Sequence, residues 1–291
     1  MSSSSGHSET TMVSALERAG FTVLEVSLVG RKHESPDYLR LDHTSYPGCE
    51  AHAFTLAHAA RWTGALDMHG DIILAHDAGS QINEEAGSPS PSGSGWERLA
   101  SVALDLGERL RGYRGRIEQG HYPGVVWGSH AQTWFRAMWA VSYLPPPVVD
   151  KFIDYVDYFI RPHIIRLNEL GFWTKESCSG LPEEHPDREP YWPYVMFEER
   201  TYPLAVPHLF TLADLAGWIP TYAPHDFDVY VRAPKGHAFS ESWKSLVESA
   251  EYLAAILEPY RFSCYSVNGL GGNHRNIPLA DPDHNIHPIR R

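Results

Sequence analysis

Apolar and polar positions alternate along this chain with two different periods, and the changes between them mark out its elements. Residues 21–29 are β-branched and apolar enough to predict a strand, with a short helix through 15–18 before it. The Ala-rich stretch 51–61 predicts a helix, and 71–76 a short buried strand, with a polar loop over 31–48. Residues 96–111 read as an amphipathic helix, and 130–144 as an aromatic-rich one stopped by Pro145, Pro146 and Pro147. The most periodic segment is 148–170, where Val149, Phe152, Val156, Phe159, His163, Leu167 and Leu170 recur at helical steps. Pro162 predicts a kink in it, and Gly171 stands where a left-handed C-cap belongs.

The rest of the second half alternates between the two periods. Residues 172–174 and 194–198 are strand candidates separated by a loop, and 204–216 is a helix closed by Gly217. Phe227, Val229, Val231 and Ala233 alternate with polar neighbours, as a half-buried strand does. Trp243, Leu246, Ala250, Leu253 and Leu257 then share one helix face over 242–257, Pro259 ends that helix, and 261–267 reads as a last strand. No internal repeat is visible. This succession predicts an α+β fold, with helices packed on a mixed or antiparallel sheet and a smaller N-terminal α/β region. The Gly/Ser/Pro-rich run 83–96 reads as a linker or surface loop, dividing a His-rich region, 1–82, from a main domain, 97–291. The first dozen residues, to Met12, are too poor in apolar side chains to offset the entropy of ordering and predict disorder.

Composition narrows the classes. The chain has 291 residues, 43% of them hydrophobic, enough for a sizeable core. It shows neither a long apolar run nor a charged-then-apolar leader, so the expectation is a cytoplasmic protein with no membrane partner. Cys49, Cys178 and Cys264 form no pairable framework, which fits reduced thiols. A formal net charge of -12 repels polyanions and disfavours bulk nucleic acid as a partner.

Candidate chemistry gathers first in the loop around Ser177, Cys178, Ser179 and Gly180. Small residues let a backbone approach a ligand, Gly180 accepts a positive φ, and successive amides there can form an anion nest. The plain alternative is a tight turn with a buried, inert thiol. Cys178 is the candidate catalytic residue, with Ser177, Ser179, Gly180 and Thr174 as candidate ligand contacts. The run Gly171-Phe172-Trp173-Thr174, the Ser-Cys-Ser-Gly core and the later segments 194–197 and 227–257 resemble the wybutosine-synthesis tRNA methyltransferase family. What the resemblance implies is an α+β fold, S-adenosylmethionine as cofactor and methyl transfer to a nucleotide-type substrate. It covers roughly residues 148–267, and Leu181 replaces the Arg that follows the Gly in that family, while 182–190 is largely acidic.

Histidine supplies the second constellation. His43, His52, His58, His69 and His76 crowd together with Asp37, Asp42, Asp71 and Asp77, and imidazole with carboxylate suits a divalent metal. His43, His52, His69 and Asp71 are the candidate ligands, with solvated or core-capping histidines as the alternative. Cys49 is a weak addition to that set. Glu84-Glu85 and Glu183-Glu184 read as solvated surface, 269–275 as a flexible turn, and Trp134, Phe135, Met138 and Trp139 as a core helix face. Three functional classes follow: an enzyme or binder of a small-molecule or nucleotide-type ligand at the Ser-Cys-Ser-Gly loop, a metal-dependent hydrolase at the His/Asp cluster, or a non-catalytic acidic interaction protein.

Overall fold

The computed structural model describes residues 4–27, 37–67, 69–76, 95–120, 147–186, 192–202, 204–223, 228–234 and 239–268. They belong to two compact units, the first running to Arg111 and the second starting at Gly112. The first unit thus extends beyond the Ser/Pro-rich stretch to include the helix that follows it. Residues 83–94 of that stretch lie outside the described residues.

In the first unit α1 (Ser4–Arg18) leads into β1 (Val23–Ser27) and β2 (Asp37–Leu41), then α2 (Cys49–Ala59), β3 (Thr63–Leu66), β4 (Ile72–His76) and α3 (Gly95–Arg109). The strands form one antiparallel sheet in the order β1-β2-β4-β3. Helices α1 and α3 pack on each other, and α2 packs on β3, β4 and α3. Gly107 lets α1 and α3 approach closely, since a Cβ there would stand 2.8 Å from the Ala19 Cα. Gly64 likewise leaves room for the Phe54 ring, 2.8 Å from where a Cβ would lie.

Helix α4 (Arg111–Glu118) begins at the boundary, and the second unit contains the rest of it and three 3-10 turns, Val149–Lys151, Ile153–Tyr155 and Tyr158–Ile160. Next come α5 (Arg161–Glu169), β5 (Thr174–Cys178), β6 (Tyr194–Glu198), α6 (Ala205–Ala216), β7 (Ile219–Ala223), β8 (Asp228–Arg232) and α7 (Phe239–Asn268). Its sheet is also antiparallel, in the order β5-β6-β8-β7. Both units are therefore α+β, with helices packed on antiparallel sheets.

The two units are copies of one αββαββα plan, down to register and single bonds. The first strand of each sheet carries a register shift at the same place, between Val23 and Glu25 in one and between Thr174 and Glu176 in the other. Leu16 and Phe21 close the first helix through a 3.0 Å bond from the Phe21 amide to the Leu16 carbonyl; Phe172 and Leu167 do the same at 3.0 Å. The intervening Gly20 and Gly171 both have positive φ, 94° and 81°, as a left-handed helix end requires. Tyr46-Pro47, His52, Phe54-Thr55-Leu56-Ala57, Ala60 and Trp62 recur at one constant offset as Tyr202-Pro203, His208, Phe210-Thr211-Leu212-Ala213, Ala216 and Trp218.

Their contacts recur with them. The Tyr hydroxyl is hydrogen bonded to His Nδ1 at 3.0 Å in both Tyr46–His52 and Tyr202–His208. Trp62 and Trp218 each donate from Nε1 at 3.1 Å, to the Gly95 and Ser242 carbonyls, and each meets the next Trp edge-on, Trp96 at 4.7 Å and Trp243 at 5.2 Å. Leu99, Ala103 and Leu106 of α3, with Leu110 just after it, correspond to Leu246, Ala250, Leu253 and Leu257 of α7, all buried. The absence of a visible repeat in the linear reading is thus corrected. What is shared is a sparse set of core and capping positions separated by dissimilar, differently long loops.

Other expectations also change. Helix α1 starts at Ser4, within the segment expected to be disordered, because Met12, Ala15 and Leu16 are buried and tie it to α3. Strand β2 lies in the expected polar loop, where Leu39 and Leu41 are fully buried while Tyr38 and Arg40 face the other way. Strands β3 and β7 carry too little alternation to be read. Pro162 opens α5 instead of kinking a longer helix, since the first helical turn needs no amide donor there. The expected strand 261–267 is the continuation of α7, which passes Pro259. Beyond that proline, Tyr260 packs on Tyr202 and His208, and the buried Arg261 guanidinium donates at 2.6 Å to the Leu170 carbonyl at the end of α5. The expected helix 130–144, with Trp134, Phe135, Met138 and Trp139, and the turn 269–275 lie outside the described residues.

Candidate functional site

Strand β5 spans Thr174–Cys178 where 172–174 was expected, so Ser177 and Cys178, expected in a loop, are strand residues paired with Val195 and Tyr194. The chain then turns at Gly180, whose φ of 71° is the left-handed conformation expected of it. Ser179 is fully buried, and its Oγ accepts from the Leu181 amide at 3.2 Å, which tightens the turn. This fold-back brings His185 onto the strand end. Its Nε2 stands 3.4 Å from Cys178 Sγ and 3.0 Å from Asp157 Oδ2. Asp157, just before the 3-10 turn Tyr158–Ile160, also accepts the Ser179 amide on Oδ2 at 2.7 Å. A sulfur, a nitrogen and an oxygen donor thus lie within 4.8 Å of one another.

The local electrostatics define what the group can do. Burial pushes the Cys178 thiol up; the Gly180 amide offsets part of that, and Asp157 and Glu184 push it further up. Burial also raises Asp157, but the Ser179 amide and His185 outweigh it and hold the carboxyl below its ordinary value. A thiol kept protonated is a poor nucleophile. Nor is this a nucleophile–base–acid relay, because Cys178 and Asp157 meet the same imidazole nitrogen instead of opposite ones. The arrangement suits donation to a shared third atom.

Of the other expected ligand contacts, Thr174 is buried and committed to the preceding helix α5: Asn168 Nδ2 donates to its Oγ1 at 2.8 Å and its amide donates to Asn168 Oδ1 at 3.1 Å. Ser177 is half-buried on β5. Glu183 is exposed, whereas the Glu184 carboxylate accepts the Phe159 amide at 3.2 Å and so is not merely solvated. Glu84 and Glu85 lie outside the described residues.

The expected histidine cluster separates in part: His43 and Asp71 stay together with Asp42, their donor atoms within 4.8 Å of one another, while His52 and His69 do not join them. His43 and Asp71 do meet, Nδ1 to Oδ1 at 2.9 Å, with Asp42 Oδ1 at 4.0 Å. Arg40 already neutralises this corner through Asp71 and Asp67, the latter at 3.0 Å. His69 is exposed on the turn before β4, and His52 is buried against Tyr46. His58 is buried too, and desolvation pushes its pKa down to about 3, so it is a neutral core residue. His76 packs on Trp62 at 5.2 Å. Asp37 only begins β2, and Asp77 lies outside the described residues. Cys49 is buried with Sγ 3.0 Å from the His43 carbonyl, and burial raises its pKa. The matching corner of the second unit holds Glu198, Glu199 and Asp228, with Lys175 2.7 Å from Asp228 and Arg200 2.6 Å from Glu198.

Asp157 and His185 were not legible as site residues. His185 sits in an acidic loop seven residues beyond Cys178, and Asp157 lies in a run whose helical periodicity masked a series of 3-10 turns. No family model, curated protein or solved structure matches this chain.

Proposed function

We propose that this is a divalent-metal-binding protein whose centre is Cys178, His185 and Asp157, taking a zinc-class cation and leaving a coordination position for water or a small ligand. The observation that carries it is the convergence of three chemically different donors within 4.8 Å. Zn–S near ~2.3 Å and Zn–N or Zn–O near ~2.1 Å give tetrahedral edges of about 3.6 Å between S and N and about 3.4 Å between N and O. The separations here, 3.4 and 3.0 Å, need only a small outward shift to match. A bound cation also reverses the electrostatics that now keep the thiol protonated, because its charge favours the thiolate. The Ser179 amide orients Asp157 as a second-sphere donor does. Three protein donors with an open fourth position are the arrangement of zinc sites that polarise water or a carbonyl, in contrast to closed structural sites.

Elemental analysis of protein purified without added metal, followed by zinc titration of stripped protein, tests this. Near-stoichiometric zinc is expected, with affinity reduced about 100-fold or more in His185→Ala and Asp157→Asn. Cobalt(II)-loaded protein is expected to show a thiolate charge-transfer band that Cys178→Ser abolishes. Zinc binding unchanged by all three substitutions, or absent from the native protein, would retire the proposal. The methyl-transfer reading uses the same Ser-Cys-Ser-Gly loop but needs no metal; S-adenosylmethionine binding to stripped protein, lost in Gly180→Val, would favour it instead.

A further inference from the structure

Both units carry the same polar corner, and at one position its chemistry is exchanged. Asp42 and His43 precede Tyr46 by the same steps as Glu198 and Glu199 precede Tyr202, and Asp71 leads into β4 as Asp228 opens β8. In the first unit His43 Nδ1 stands 2.9 Å from Asp71 Oδ1; a carboxylate only accepts, so the imidazole donates there. The second unit has a carboxyl, Glu199, where that donor stands. A carboxyl set among carboxylates can replace the donor only as the protonated acid.

The charges around Glu199 point the same way. Glu198, Glu199 and Asp228 are 5%, 6% and 1% exposed. Arg200 grips Glu198 at 2.6 and 2.9 Å, and Lys175 lies 2.7 Å from Asp228 and 3.8 Å from Glu198. Both cations are thus committed, and among the described residues none pairs with Glu199. Its Oε2 is buried without a hydrogen bond, and the Tyr222 hydroxyl beside it, from β7, is buried without one too. On α6, packed against the turn Glu199–Thr201, His208 bonds to Tyr202 and Asp214 lies at the far end of the helix. A buried carboxylate with no counter-charge and two carboxylates for neighbours is costly, which favours the neutral acid. Burial, with Glu198 and Asp228 adding to it, pushes Glu199 up, against the Tyr222 hydroxyl and Arg200.

We infer that Glu199 is a buried, protonated acid in the folded second unit and that its ionisation is a pH-operated release of the turn Glu199–Thr201. Loss of the proton places a third negative charge beside Glu198 and Asp228 where water does not screen it. The Glu198 carboxylate accepts the Arg200 amide at 3.1 Å and so shapes this turn, which leads into Tyr202 and its bond to His208. Repulsion at Glu199 therefore acts on the link between β6 and α6. Below the ordinary glutamate value of 4.5 folded and unfolded chains both hold the proton. Above it the unfolded chain releases the proton first, so stability falls as pH rises until the folded acid ionises as well. The device does not depend on the metal centre.

Infrared difference spectra of full-length protein, native minus Glu199→Gln, test this at about pH 6, where exposed carboxyls are ionised. A carbonyl band of a protonated carboxylic acid is expected in the native protein and absent from the variant. Glu199→Gln, a neutral group of the same shape, is expected to melt about 3 °C or more above the native protein at that pH, and the gain should vanish near about pH 4. In Tyr222→Phe, which leaves every charge in place, the acid band is expected to persist to higher pH, because the ionised form loses its nearest donor; this variant serves if Glu199→Gln does not fold. No acid band at about pH 6 would overturn the proposal. So would a Glu199→Gln variant less stable than the native protein there, or an unmoved midpoint in Tyr222→Phe.

Discussion

Replacing Tyr202 by Phe removes one hydroxyl from the core of the second unit and nothing else of comparable size. Tyr202 is 1% and His208 0% exposed, so water cannot readily replace the 3.0 Å bond to His208 Nδ1. Losing a partner from a buried polar group costs about 1–3 kcal/mol, against about 0.5–1.5 kcal/mol where solvent can compensate. Tyr202→Phe is therefore expected to cost about 2 kcal/mol. Tyr46→Phe breaks the equivalent 3.0 Å bond to His52 where the tyrosine is half-buried, and is expected to cost about 1 kcal/mol. Guanidinium unfolding followed by far-UV circular dichroism measures both, fitted by separate transitions where the two units unfold separately. The loss should fall in one transition for Tyr202→Phe and in the other for Tyr46→Phe if the curves resolve. A cost below about 0.3 kcal/mol for Tyr202→Phe, or a larger cost at Tyr46, would refute the view that this Tyr–His bond fastens the central helix of each copy.

Two further outcomes follow from single positions. His58 has a folded pKa of about 3, depressed by burial, against an ordinary value of 6.5. Between those values the unfolded chain takes up a proton that the folded chain refuses, so stability present above pH 6.5 is lost as pH falls towards 3; His58→Leu should flatten that part of the stability–pH curve. Arg61 and Leu204 are the non-glycine residues with positive φ among those described, 63° and 61°, and each is a glycine in the other copy, Gly217 and Gly48. Exposed Arg61→Gly should thus relieve left-handed strain and raise stability by up to about 1 kcal/mol, a gain that thermal unfolding would register.

The duplication also orders the functional residues. Where Cys178 ends β5, the first copy has Ser27 at the end of β1, so the sulfur donor belongs to the second copy alone. The acidic corner is common to both, Asp42 and Asp71 in one and Glu198 and Asp228 in the other, each neutralised by a cation of its own unit. Such paired corners are internal to the fold, whereas the thiol–imidazole–carboxylate group is a feature that one copy holds and the other lacks.

From the chain itself one could read what depends on near neighbours. Helical spacing at Trp243, Leu246, Ala250 and Leu253, period-two alternation around Val229 and Val231, and the left-handed Gly171, Gly180 and Gly217 all emerge in place, because each reflects interactions within a few residues. The α+β class follows from their order. Strands as short as β3 and β7 are decided by their partners on β4 and β8, not by their own alternation, and α1 and the far end of α7 are held helical by burial that no local window contains. Likewise Cys178 could be singled out, but His185 and Asp157 come to it only because Gly180 turns the chain back and the Ser179 amide holds the carboxylate. The repeat escaped the linear reading for the same reason: the copies agree where side chains meet in space, at Tyr46 and Tyr202, Trp62 and Trp218, and differ almost everywhere the chain faces water.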